Sequence, residues 1–188
     1  MGLAINKKKL EGIYEVISTP FSDNRGYLGR IYEKKEFDKH GMNVIWTEQS
    51  ISYTARKMTV RGLYSQREPF KEKKLISIVK GKVFWVAVDL RKNSSTFGKW
   101  ESAVLTPEKV NGLYVDSGFA HGCLSLSDDC CLVLNAEGYY SAEHAIGIRW
   151  DDPDLKIDWP LDSRSVTISD THKSFASFSE FKSKYKSL

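Results

Sequence analysis

Residues 75–79 (Leu-Ile-Ser-Ile-Val) and 83–90 (Val-Phe-Trp-Val-Ala-Val-Asp-Leu), parted only by Lys80-Gly81-Lys82, constrain the fold of this chain more than any other stretch. Both runs are rich in β-branched and aromatic side chains, and they read as antiparallel strands closed into a hairpin by the glycine turn. A further extended segment precedes them, M-T-V-R-G-L-Y-S-Q from Met58 to Gln66. Side chains on a strand alternate between faces, which puts Arg61, Leu63 and Ser65 on one side and Gly62, Tyr64 and Gln66 on the other unless a bulge intervenes. If the second face lines a cavity, Tyr64 and Gln66 line it.

The remaining patterns repeat this theme. Residues 12–20 alternate as a strand, and the cluster Asp23-Asn24-Arg25-Gly26 has the residues of a hairpin turn leading into another. Turn chemistry makes no demand for Arg25, so a ligand role is open to it. Residues 34–40 form a short helical candidate stopped by Gly41. Strands are expected at 44–52, 99–105, 113–115, 123–126 and 130–134, with a turn at Thr106-Pro107-Glu108. Only near the end does a helical period emerge, with Phe178, Phe181 and Tyr185 at spacings of three and four and Ser177 or Ser179 as N-cap. Many short strands, closely spaced turn signals and almost no amphipathic helix before residue 170 make this an all-β sandwich or barrel.

A chain of 188 residues, 41% hydrophobic and 28% charged, has the length of one domain with a substantial core, 1–188. It has no apolar run of about 18 residues, and its first ten residues lack the apolar centre of a signal peptide, so a cytoplasmic protein is expected, with no membrane partner. Cys123, Cys130 and Cys131 are odd in number and sit in or near apolar sequence, which reads as reduced core thiols. A formal charge of +4, without a basic patch interleaved with aromatics, argues against long nucleic acid. A small polyanion such as a nucleotide diphosphate fits, because a few arginines and lysines converging in a pocket suffice for it.

Several runs carry a resemblance. R-G-L-x-x-Q-x-x-P-x-x-x-x-K-L (from Arg61 to Leu75), V-D-L-R-x-x-S-x-T-F-G-x-W (from Val88), G-F-A-H-G (from Gly118), Tyr139-Tyr140, I-x-W-D-D-P-x-L-x-I-x-W-P (from Ile148) and F-S-D-x-R-G (from Phe21) are similar to the dTDP-4-dehydrorhamnose 3,5-epimerase family. The likeness spans nearly the whole chain in unbroken order. It implies a cupin jelly roll with short C-terminal helices, a homodimer, and action on a nucleotide-linked 4-keto-6-deoxyhexose without a cofactor. The second cupin motif retains a histidine, His121, but the first supplies no His-x-His, so no metal is expected. In such a reaction the 4-ketone acidifies the C3 and C5 hydrogens, a base forms the enolate and an acid returns a proton to the opposite face.

By the same resemblance, Tyr64, His121, Lys74 and Asp170 are catalytic candidates, and Arg61, Arg25, Phe21, Gln66, Glu48, Ser50 and Tyr140 bind substrate. Arg25 matches an arginine that contacts the diphosphate across a dimer interface, and Asp170 one that orients a catalytic histidine. Two positions depart from the family. Tyr64 stands where the family keeps its histidine base, and Leu134 where it keeps the opposite-face tyrosine. A phenol titrates near about 10 and an imidazole near about 6.5, so Tyr64 has the inherited position and His121 the better acidity.

The expectation is an isomerase that inverts C3 only, with inversion of both C3 and C5 kept open, in bacterial deoxysugar biosynthesis of the O-antigen type. Alternatives are a silent nucleotide-sugar-binding cupin and a 3,4-ketoisomerase. The altered segment Glu48-Gln49-Ser50-Ile51-Ser52 leaves the nucleotide open between cytidine, thymidine and guanosine.

Overall fold

The computed structural model describes residues 2–163 and 165–188. In chain order the strands are β1 (Gly2–Lys7), β2 (Ile13–Thr19), β3 (Phe21–Asp23), β4 (Gly26–Leu28), β5 (Glu48–Thr54), β6 (Val60–Gln66), β7 (Lys73–Lys80), β8 (Val83–Asp89), β9 (Trp100–Leu105), β10 (Asn111–Val115), β11 (Phe119–Ser125), β12 (Cys130–Glu137) and β13 (Ala145–Gly147). The helices are α1 (Lys34–Lys39), α2 (Asp170–Lys173) and α3 (Phe178–Tyr185). Two antiparallel sheets form the body, one ordered β1-β2-β10-β7-β12-β5 and the other β13-β6-β11-β8-β9, and β3 pairs with β4 in a separate hairpin. This is an all-β jelly roll with short C-terminal helices.

Alternation along the central strands explains the layering. Ile76 and Ile78 of β7 meet Val83, Trp85 and Ala87 of β8 in the core between the sheets. The other parity of β7 sends Leu75 outward, where it packs with Phe37 of α1, Val44 and Tyr114. The other parity of β8 sends Val86 and Val88 to the opposite outer surface, covered by Trp159 and by Phe178 and Phe181 of α3. Strands clothed on both faces lose the polar half of the alternation, which is why they read as unbroken apolar runs. A capping box between Ser177 and Glu180 starts α3 at the place its sequence signals.

The expected hairpin at Gly81 is corrected by this arrangement. β7 is bonded to β10 and β12, and β8 to β11 and β9, so Lys80-Gly81-Lys82 carries the chain from one sheet to the other. A tight glycine turn dictates chain reversal, not which strands then share hydrogen bonds. Two runs that each need apolar cover on both faces satisfy that need by facing each other across a core. The strand expected over 44–52 starts only at Glu48, because Val44 is drawn into the apolar cluster around α1.

One irregularity shapes the interior. In the β6–β11 ladder His121 partners Tyr64 and Cys123 partners Arg61, so Gly62 and Leu63 together oppose Gly122, a β-bulge. A Cβ on Gly62, whose φ is 101°, would stand 2.6 Å from the His121 carbonyl oxygen. The bulge sends Leu63 outward into the core beneath α3, while Arg61 and Tyr64 both face inward. The simple alternation expected for this strand therefore fails between Arg61 and Leu63.

Candidate active site

At one end the space between the sheets is not filled by core but opens as a cavity of about 250 Å³. Arg61 and Tyr64 of β6, His121 and Cys123 of β11 and Trp85 of β8 line one wall, Ser52 of β5 and Leu134 of β12 the other, and His172 of α2 closes a side. Trp85 stacks on the His121 ring at 5.6 Å between centroids and 27° between planes. Its indole Nε1 is buried and, among the described residues, has no hydrogen-bond partner.

The protonation states are set by burial. His121 is half-buried against Trp85 and lies within the field of the Lys74 ammonium. Desolvation first and that charge second push its pKa down to about 3, so the ring is neutral. Tyr64 is shifted the other way, to about 12, by desolvation and by its hydrogen bond with Tyr140. The two hydroxyls are 3.3 Å apart, and Tyr140 is 57% exposed, so the phenol of Tyr64 is linked to the surface. At neutral pH the cavity thus holds a phenol that keeps its proton beside an imidazole with a free lone pair.

Cationic groups are held at its edges. Arg61 donates from Nε to Thr54 Oγ1 at 2.9 Å and from Nη2 to the Tyr53 carbonyl at 2.8 Å, which fixes the guanidinium plane. Lys74 shares the parity of Ile76 and Ile78 on β7 and so points to the sheet interior, its ammonium 2.9 Å from the Glu72 carboxylate. Burial raises the Glu72 pKa against the opposing pull of Lys74.

The structure brings Arg61, Tyr64, His121 and Tyr140 together and places Lys74 within electrostatic reach. Glu48 and Ser50 share the parity of Ser52 on β5, further along the same wall. Gln66 is spent elsewhere: its amide donates to the Phe70 and Tyr139 carbonyls and its Oε1 accepts from Ser141 N, so it braces the loop that carries Tyr140 and does not line the cavity. Phe21, 61% exposed, and Arg25, paired with Asp23, lie on the β3–β4 hairpin away from this cavity. Asp170 is corrected most sharply: its side chain is 98% exposed and pairs with Lys173 at 3.0 Å, because it occupies the first turn of α2, on the solvent side. The residue that α2 contributes to the cavity is His172, which no motif in the sequence singles out. A histidine on a helix of one turn leaves no periodic signal.

A jelly roll whose interior opens at one end as a cavity lined by Tyr64 and His121 has the cupin architecture of its epimerase structural relatives. Residues 7–180 match the family model described as dTDP-4-dehydrorhamnose 3,5-epimerase. The enzyme of that name from Methanothermobacter thermautotrophicus is 38% identical over 156 residues, 83% of each chain. The crystal structure of the Bacillus anthracis enzyme with TDP and pyrophosphate bound superposes with a TM-score of 0.89 at 31% identity, covering 94% of this chain and 99% of that one. A double mutant of ChmJ, a 3'-monoepimerase from Streptomyces bikiniensis in complex with dTDP, gives 0.89 at 25% identity, covering 95% and 89%. The chain belongs to the dTDP-4-dehydrorhamnose 3,5-epimerase family.

Proposed function

We propose that this protein is a cytoplasmic isomerase that inverts C3, and not C5, of a CDP- or dTDP-linked 4-keto-6-deoxyhexose for deoxysugar biosynthesis. The observation that carries this reading is the asymmetry of the cavity. Tyr64 and His121 stand side by side on the β6–β11 wall, whereas Leu134 on the facing wall has no proton to give. One acid–base pair serves one centre.

In this reading His121, neutral and with a free lone pair, takes the C3 proton, and the electron pair of the broken C–H bond moves onto O4. The sugar ring enters edge-on between the two side chains, so that Tyr64, still a phenol, supplies the returning proton to the face of C3 opposite His121 and is reloaded through Tyr140 from the surface. Lys74, steadied by Glu72, stabilises the developing charge through space, and Arg61 binds the anionic part of the ligand. Glu48 and Ser50 border the nucleotide. Phe21 and Arg25, exposed on their hairpin, serve the cavity of a second copy in a homodimer, and residues 1–188 act as one cupin domain. The nucleotide complexes of the two structural relatives support a nucleotide diphosphate as the handle.

A second reading has one observation in its favour. An imidazole held near pKa 3 is a feeble base, which suits a binding protein that has lost catalysis. Proton NMR in deuterium oxide with CDP- and dTDP-4-keto-6-deoxyglucose separates the two. The epimerase reading expects the C3 signal alone to disappear as a new epimer forms. Binding with no loss of either signal leaves only the silent module.

A further inference from the structure

His172 lines the cavity with no part in the reaction just described. Its position is fixed twice. The backbone N–H of His172 donates to Ser169 Oγ at 3.3 Å, and its ring lies 4.8 Å from Phe175 and 6.3 Å from Tyr64, centroid to centroid. Its Nδ1 accepts the Gly62 N–H at 3.3 Å, at the bulge between Arg61 and Tyr64. A ring nitrogen that accepts from a backbone N–H carries no proton itself, so the neutral ring holds its proton on Nε2. Partial burial and the neighbouring Arg61 guanidinium both disfavour the imidazolium. Among the described residues Nε2 has no hydrogen-bond partner, while Nδ1 is taken.

We propose that His172 is a catalytic residue: its Nε2–H is a prepositioned neutral donor to the ketone oxygen of the bound sugar. The inference rests on the epimerase reading. When the C3–H bond breaks, its proton goes to His121 and its electron pair to the ketone oxygen. The Nε2–H bond of His172 stays intact, since a neutral imidazole N–H is a very weak acid, and its hydrogen bond to that oxygen tightens. Leu134, Cys123 and Trp85 give the cavity an apolar share beside Ser52, Tyr64 and His121, and two of the three guanidinium nitrogens of Arg61 are already engaged. A fixed donor in such surroundings gains strength as charge develops.

Two measurements test it. In ¹⁵N-edited NMR of the ligand-free protein at neutral pH, His172 should be the Nε2–H tautomer, and an Nδ1–H tautomer or a cation overturns the proposal irrespective of activity. The second uses a variant pair. His172→Asn keeps an acceptor for Gly62 N–H but has no distal donor, whereas His172→Gln restores N–H reach. Asn should slow deuterium exchange at C3 about a hundredfold with dTDP affinity unchanged, and Gln should stay within about tenfold of the parent. Equal rates for Asn and parent overturn the role. If the parent itself exchanges no hydrogen, the epimerase reading fails separately, and affinity for the 4-keto sugar nucleotide becomes the readout. A loss of about tenfold in Asn alone, with dTDP binding intact, then still supports the donor, and no such loss rejects it.

Discussion

Tyr64 and His121 are register partners across β6 and β11, one a phenol that keeps its proton and the other an imidazole that does not take one. A pair with shifts in these opposite directions does not titrate near neutrality. The rate of C3 exchange should therefore lie on a plateau between about pH 5 and pH 10, where both groups hold the required state. A bell centred near about 6.5, the ordinary histidine value, would show that His121 is solvated and works as a conventional base.

The same burial makes stability sensitive to acid. Folded His121 accepts a proton only near pH 3, whereas in the unfolded chain it does so near about 6.5. Between these values the unfolded chain binds more protons, so this contribution to stability is complete above about pH 6.5 and is lost as pH falls toward 3. His172, also depressed, acts with the same sign. The drop in Tm between pH 7 and pH 4.5 should accordingly be smaller in His121→Gln than in the parent, though not abolished. Equal drops would place the acid sensitivity elsewhere.

Gly122→Ala should destabilise the chain by about 2–4 kcal/mol, because its Cβ would collide with the Arg61 carbonyl oxygen across the ladder and neither backbone can yield. Gly41→Ala is the comparison. Its φ is 75° and nothing lies within 4 Å of the added carbon, so it pays only the left-handed backbone term, about 1–2 kcal/mol. Urea unfolding of the two variants measures the difference directly, and a Gly122→Ala cost no greater than that of Gly41→Ala would mean that the bulge relaxes.

Leu134→Tyr puts a phenol on the wall that has none. Solvent deuterium should then enter C5 as well as C3, at a rate at least about tenfold above the parent's C5 background, the lower end of what a positioned acid contributes being larger still. The readout is the C5 proton signal. If it stays unchanged while the variant folds, the restriction to one centre has another origin than residue 134.

Much of this fold was legible because strands, turns and caps are local. The helix at the C-terminus is announced by Ser177 and Glu180, and the β3–β4 turn by Asp23 and Gly26. Sheet membership was not legible, since Lys80-Gly81-Lys82 specifies a reversal and the choice of partner strands is made by burial on both faces. Within the site, Tyr64 and His121 followed from position. Gln66 did not, because its amide is consumed by the backbone of residues far along the chain, Tyr139 and Ser141. Asp170 and His172 lie two residues apart, and only the turn of α2 decides which of them meets the cavity.

The chain crossing at Gly81 divides the mechanical properties of the cavity. Tyr64 and His121 are spaced by the hydrogen bonds of a single ladder, whose rungs do not stretch. Leu134 and Ser52 approach them from a different sheet, held there by side-chain packing and by turns. The gap between the walls can thus widen or narrow by small slides of apolar surface without breaking one rung. Substitutions on the β5–β12 side are free to reshape the cavity while Tyr64 and His121 keep their separation, so the two walls can diverge independently within one scaffold.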